Sequence, residues 1–147
     1  MRLNPRVLTL PTAALLGLAV TLSSFGVTRL MAAEPATTQS PEQLAKPLAH
    51  IVFFTLAERT PENRAKLVAN CKKYLDKHDG VTHFSVGVNA PEYDRPVNDR
   101  DYDVAIHVVF ATAKDQNAYQ TAPRHLEFIK ESKSLWAKVR VFDSYIE

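Results

Sequence analysis

Seven consecutive residues, His50-Ile51-Val52-Phe53-Phe54-Thr55-Leu56, are rich in β-branched and aromatic side chains and are apolar on both alternating phases. Side chains alternate across a strand, so such a run is a strand buried on both sides. A chain built around it cannot leave either side of its sheet to water. Helices can cover one side, and something else must cover the other.

The following residues supply the helices and further strands. Thr60 is a good N-cap and Pro61 a good first helical residue, with Leu67, Val68, Cys71, Tyr74 and Leu75 recurring at helical spacing. This predicts a helix from about Pro61 to Lys77 that ends before Gly80. Val81 to Val88 alternates Phe84, Val86 and Val88 against His83, Ser85 and Gly87, a second strand, and a polar loop from Asn89 to Asp101 follows, broken by Pro91 and Pro96. A third strand is expected from Tyr102 to Ala111. Thr112 with Asp115 resembles a capping box and opens a helix carrying Tyr119. Pro123 disfavours helical geometry at Ala122, so the chain breaks there and restarts with His125, Phe128 and Ile129 on one face. Val139 to Ile146 is a fourth strand.

Strand, helix, strand, strand, helix, strand is the ferredoxin-like βαββαβ order of an α+β domain, a single antiparallel sheet with both helices on one face. Ile51, Phe53, Ala105, Val109 and Phe142 then lie on the bare face, opposite in phase to Val52, Phe54, Ile106, Val108 and Val141. The economical cover for a second apolar face is another copy of the same chain. The expectation is an isologous homodimer whose two sheets enclose a barrel, a dimeric α+β barrel.

The first 33 residues differ in kind. Arg2 and Arg6 precede an uncharged run from Val7 to Thr28, and Met31-Ala32-Ala33 stands before Glu34, the layout of an export signal. The run is also long enough for a retained N-terminal anchor, since crossing a bilayer takes ~20 residues. Either way the domain is expected to be exported, periplasmic or secreted, or held at the membrane by residues 7–28. Residues 34–47, with Pro35, Pro41 and Pro47, read as a linker, and the folded domain spans 48–147.

The formal charge of +2 is set by that first segment, because losing its Arg2, Arg6 and Arg29 leaves 15 basic against 16 acidic residues. A body so nearly neutral, with no basic stripe, lacks the footprint of nucleic-acid binding. The single cysteine, Cys71, excludes an internal disulfide and a cysteine-rich zinc site, and reads as a small buried hydrophobe. Asp99, Asp101 and Asp103 alternate as in a calcium loop, but Val104 and Phe110 stand where that loop needs Gly and Glu. They read as solvated charges, and no metal is expected.

One stretch, Ala118 to Ile129, places the Tyr119 hydroxyl and the His125 imidazole six residues apart across the proline break. If His50, Val52 and Phe54 face the helices, they share that space with Ile106, Val108, Val139 and Val141. Tyr119, His125, Phe128 and Trp136 would close it from above, making a mostly apolar cavity with few convergent polar groups. His125 lies in the first turn after Pro123, where the helix N-terminus disfavours an imidazolium, and a neutral ring can accept a proton. Tyr119 could donate to a carbonyl or developing enolate, and Asp143 or His50 could orient the imidazole. An ordinary reading stands beside this one: His125 bonds a backbone carbonyl at the break, and Tyr119, Phe128 and Trp136 fill core. His107 falls on the dimer-facing phase, His83 toward the bare face or edge, and His78, beside Asp79 and Gly80, looks like a solvated helix end.

From about His50 to Tyr145 the order and spacing of His50 to Phe54, Gly80-Val81 with Ser85-Val86-Gly87, Asp101-Tyr102-Asp103, Tyr119 to His125 with Pro123, and Val141-Phe142-Asp143 resemble the stress-responsive α/β-barrel (Dabb) family. The resemblance implies a dimeric ferredoxin-like barrel of the dimeric α+β barrel superfamily. Plant olivetolic acid cyclase, a distant relative in that family, drives an aldol-type cyclisation with a tyrosine and a histidine at this spacing; Tyr119 and His125 match them, and His50 matches a pocket histidine. Two further histidines of the cyclase correspond to Ala122 and Val104, so the pocket here is less polar. Two functions follow: an exported homodimer binding a small apolar, aromatic or polyketide-like molecule, or a cofactor-independent cyclase, isomerase or lyase with His125 as general base and Tyr119 as donor. Haem binding or cofactor-free oxygenation, known among related barrels, is the weakest, because no signal selects an axial ligand. No cofactor is expected.

Overall fold

The computed structural model describes residues 38–147, so the signal or anchor reading of residues 1–33 lies outside the described part. The elements are α1 (Pro41–Ala45), β1 (Leu48–Leu56), α2 (Pro61–Tyr74), β2 (Val81–Val88), β3 (Val104–Phe110), α3 (Ala113–Thr121), α4 (Pro123–Ser132) and β4 (Trp136–Tyr145). The sheet order is β2-β3-β1-β4, and every neighbouring pair is antiparallel. This is the expected ferredoxin-like α+β arrangement, with the second helix divided at Ala122. No helix among the described residues is long and apolar enough to cross a membrane.

The alternation in β1 becomes a two-sided structure. Leu48, His50, Val52, Phe54 and Leu56 are buried, while the residues between them are half-buried. Beneath the buried phase, Val104, Ile106, Val108 and Phe110 of β3 join Leu67, Cys71 and Leu75, Ala113 and Tyr119 of α3, and Phe128 of α4 in one core. Register carries the same phase across the sheet: His50 pairs with Val108 on one side and Asp143 on the other, and Val52 with Ile106 and Val141. The Cys71 thiol lies in this core, and burial pushes its pKa up to about 12, as befits a small hydrophobe.

Several expectations need correction. The segment read as linker contains α1, started by a capping box between Ser40 and Gln43. Helix α2 stops at Tyr74 rather than Lys77, because Lys77 adopts a positive φ of 58° and Arg124 takes over the free carbonyls of Lys73, Asp76 and Lys77. Asp103 is not a solvated charge. It is 4% exposed, accepts the Leu56 N–H at 2.9 Å and meets Arg59 and Arg64, so β3 starts only at Val104. Asp99 and Asp101 do stay at the surface, pairing with Arg140 and with Arg59 and Lys138. The face away from the helices is bare only in part: Tyr102 stacks edge-on to Phe53 at 4.9 Å and the Arg140 guanidinium lies 5.8 Å from the same ring.

Gly80 closes the turn between α2 and β2 with φ +77°, and a Cβ there would stand 2.4 Å from the Cβ of Asp115. Asp115 cannot withdraw freely, since its carboxylate accepts the Thr112 hydroxyl at 2.6 Å in the N-terminal turn of α3. Gly80→Ala should therefore lower stability by about 2 kcal/mol or more in urea unfolding, combining left-handed strain with the clash; an unchanged midpoint would refute this account of the turn.

Candidate functional site

Pro123 has no N–H to donate, and Ala122 takes extended backbone at φ −64°, ψ 137°. The chain turns there, and Tyr119 at the end of α3 meets His125 in the first turn of α4 with ring centroids 4.4 Å apart. Ending α3 frees the Gln120 carbonyl, and the Nδ1 of His125 lies 3.1 Å from it. A carbonyl only accepts, so Nδ1 carries the proton and the Nε2 of the neutral ring keeps its lone pair. Gln120, rather than Asp143 or His50, thus orients this imidazole. Burial is the main cause holding the His125 pKa below its ordinary 6.5, with His50 and His78 adding to the effect and the Gln120 bond opposing it.

Asp143 serves His50 instead. The two are direct partners across β1 and β4, and His50 Nδ1 lies 2.6 Å from Asp143 Oδ1. The carboxylate accepts, so here too Nε2 is the free nitrogen. His50 is buried on the strand, whereas Asp143 is 46% exposed on the sheet edge.

Tyr119 lies among these rings. Its centroid is 6.2 Å from His50, 5.1 Å from Phe110 and 4.8 Å from His78. Its hydroxyl is buried and has no hydrogen-bond partner among the described residues. Burial raises the phenol pKa well above its ordinary value, so the group stays a donor at neutral pH.

These groups border a cavity of about 380 Å³. Val52, Phe54 and Ile106 form its floor, Val139 and Val141 its edge-strand side, and Phe128 and Trp136 one end, with Phe54 and Trp136 centroids 5.1 Å apart. Of the expected lining, His50, Tyr119, His125 and Asp143 are all brought together here; Val108 is not, and packs instead within the core on β3. Leu75, Gln120 and Ile129 line the cavity without having been singled out. Leu75 and Ile129 carried only a helical-face signal, and Gln120 contributes through its backbone, which no side-chain pattern reveals.

His78 is the other residue that sequence reasoning misplaced. It is half-buried, its Nε2–H donates to the Tyr74 carbonyl at 2.8 Å, and its ring stands edge-on to Tyr119. With Asp79, Ala118 and Ala122 it borders a smaller cavity of about 210 Å³ on Tyr119. Its neighbours Asp79 and Gly80 suggested a solvated turn, but the left-handed Lys77 bends the chain back onto α3. No cluster of His, Cys, Asp and Glu among the described residues is arranged to hold a metal ion.

The family model for the stress responsive A/B barrel domain matches residues 48–146. Among solved structures, a Dabb-family protein with a ferredoxin-like fold from Mesorhizobium loti is 23% identical with a TM-score of 0.58, over 69% of this chain and 98% of that one. A hydroxynitrile lyase from Passiflora edulis is 20% identical with a TM-score of 0.57, over 70% of this chain and 95% of that one. A dimeric protein of unknown function with a ferredoxin-like fold from Bacteroides fragilis is 21% identical with a TM-score of 0.54, over 68% and 96%. At these identities the likeness is one of fold. No curated protein sequence matches the chain.

If the His78 ring seals the outer side of Tyr119, His78→Ala should admit water and bring the phenol titration down toward its ordinary value of 10.0. His78→Phe, which keeps a ring in place, should leave it high. Ultraviolet difference titration against Tyr119→Phe isolates the group among the five tyrosines, and an unmoved titration in His78→Ala would remove His78 from the site.

Proposed function

This chain belongs to the stress-responsive A/B barrel (Dabb) family, and from that membership and the chemistry of its cavity we propose that it catalyses cofactor-independent proton transfer on a small, largely apolar carbonyl compound. One observation carries the reading. Two imidazoles have their Nδ1 atoms engaged by fixed acceptors, Gln120 and Asp143, and so present Nε2 lone pairs beside a buried Tyr119 hydroxyl that lacks a partner. An unsatisfied buried donor is costly in the free protein and is relieved by an incoming oxygen.

The steps follow from these positions. A substrate carbonyl oxygen accepts from the Tyr119 hydroxyl. The Nε2 of His125 takes the proton from the adjacent carbon: the C–H bond breaks, an N–H bond forms, and the electron pair moves onto oxygen as an enolate held by Tyr119. Delivery of that proton to a different carbon completes an isomerisation, or the enolate carbon attacks a second carbonyl, whose oxygen takes the proton from the His125 imidazolium as the ring closes. His50, its Nδ1 held by Asp143, is placed to exchange a second proton through Nε2. The apolar wall of Phe54, Phe128 and Trp136 selects aromatic or alkyl substituents.

Binding without turnover is the second reading, favoured by that same wall. Benzoylacetone, an enolisable aromatic diketone, separates the two by the rate of α-proton exchange in deuterated buffer followed by NMR, with mandelonitrile cleavage as a second arm suggested by the lyase of like fold. His125→Ala and Tyr119→Phe should each lose ~100-fold or more in exchange while binding persists; equal rates in wild type and both variants, with the diketone still bound, would leave only the binding module. The acid limb of the wild-type profile should fall below pH 6.5, since a base with a lowered pKa stays neutral until the pH drops through that lower value.

We further propose a homodimer. The face away from the helices exposes the Phe142 ring to 53%, beside half-buried Ile51 and Val109, and the Bacteroides fragilis protein of like fold is described as dimeric. Sedimentation should show a dimer for wild type and a shift toward monomer for Phe142→Asp; a monomeric wild type would sink this part. Export through residues 1–33, by cleaved signal or retained anchor, belongs to the same proposal.

A further inference from the structure

A second cavity, of about 410 Å³, shares no lining residue with the first. It lies where the start of α2 meets the loop after β2, and its walls are polar. Arg59, Arg64 and Arg100 line it together with Asp103, Asn89 and Tyr102. Three guanidinium groups and one carboxylate share this lining, while Asp94 on Arg100 and Asp101 on Arg59 lie outside it.

Asp103 does not use up these donors. Its Oδ2 accepts the Leu56 N–H at 2.9 Å and lies 3.2 Å from the Arg59 Nε, so one arginine already compensates this buried charge. Arg64 reaches the other oxygen only at 3.5 Å, and its Nε is buried with no acceptor among the described residues. Arg100 is paired through one nitrogen with Asp94, whose side chain is 67% exposed, a partner held weakly in water. The Asn89 amide donates to the carbonyls of Arg100 and Tyr102, which fixes the loop that presents Arg100. A buried guanidinium N–H without an acceptor is unfavourable, and planar forks of donors converging on a cleft match the paired oxygens of carboxylates and phosphates.

We propose that this cavity is a binding site for a small dianion bearing carboxylate or phosphate oxygens, gripped by Arg64 and Arg100 while Arg59 stays on Asp103. Arg64 supplies the buried donor and Arg100 the mobile one, released from Asp94 when the anion arrives. The grip is one of charge, so binding weakens as ionic strength rises.

The test is calorimetric titration of the full chain with inorganic phosphate and with succinate, each against sodium chloride at equal ionic strength. The expected result is saturable binding of at least one of them, one per chain, weakened about tenfold or more by Arg64→Gln and by Arg100→Gln, the scale of a lost charge-assisted pair. Whichever anion binds more tightly names the ligand's chemistry. Arg100 is no partner of Asp103, so Arg100→Gln keeps the test valid if Arg64→Gln unfolds. Heats no larger than those of chloride, or variants that bind as wild type does, would overturn the proposal. No residue is shared with the proton-transfer cavity, so this outcome is read independently of benzoylacetone exchange.

Discussion

The proline at 123 governs the site more than any other single constraint. On an unbroken helix Tyr119 and His125 would point roughly 120° apart around the axis, at about 100° per residue, and would not face each other. The missing N–H and the steric bar on Ala122 end α3 and turn α4, which brings the two rings to 4.4 Å. The same break releases the Gln120 carbonyl from helical bonding, and that carbonyl then fixes the His125 tautomer. Ring placement, proton location and the direction of the free lone pair all descend from one backbone interruption.

Around that break, apolar surroundings keep His125 and Tyr119 neutral by the same physics applied to opposite charge types. Desolvation disfavours the imidazolium of His125 and the phenolate of Tyr119, lowering one pKa and raising the other. A neutral base and a neutral donor side by side are what the proposed enolisation requires, and a wetter pocket would bring both back toward their ordinary values. His50 is treated differently: it is as deeply buried as the core, yet its partner sits on the sheet edge with water on one side. The register of β1 against β4 imposes that pairing, since His50 and Asp143 lie directly opposite each other.

The elements were legible where a period or a stop signal marked them: the two-phase run in β1, the caps at Thr60 and Thr112, the bar at Pro123. Most of the cavity followed, because a strand phase, once assigned, places His50, Val52 and Phe54 with Ile106 and Val141. Val108 misled because it shares that phase; phase reports which face a residue takes, not whether a neighbour lies above it. Asp103 and His78 misled for another reason. Local composition around each is polar, but tertiary contacts decide: Asp103 binds the end of β1 forty-seven residues away in sequence, and a left-handed Lys77 folds His78 back onto Tyr119. No local pattern encodes a backbone carbonyl as an acceptor, which is why Gln120 was invisible.

The edge position of β4 accounts for the cavity itself. Val139 and Val141 point to the helix side, yet they stay 39% and 49% exposed because no helix lies over that margin of the sheet. A well-packed interior leaves few voids larger than a water molecule, and larger side chains at these two places would have filled this one. Water in so apolar a space makes few hydrogen bonds, and an empty space forfeits dispersion contacts on every wall. The proposed small apolar ligand would relieve both costs at once, and by binding only the folded chain it would also stabilise the fold by mass action. The edge strand thus gives the sheet an opening where a fully covered sheet would have only core.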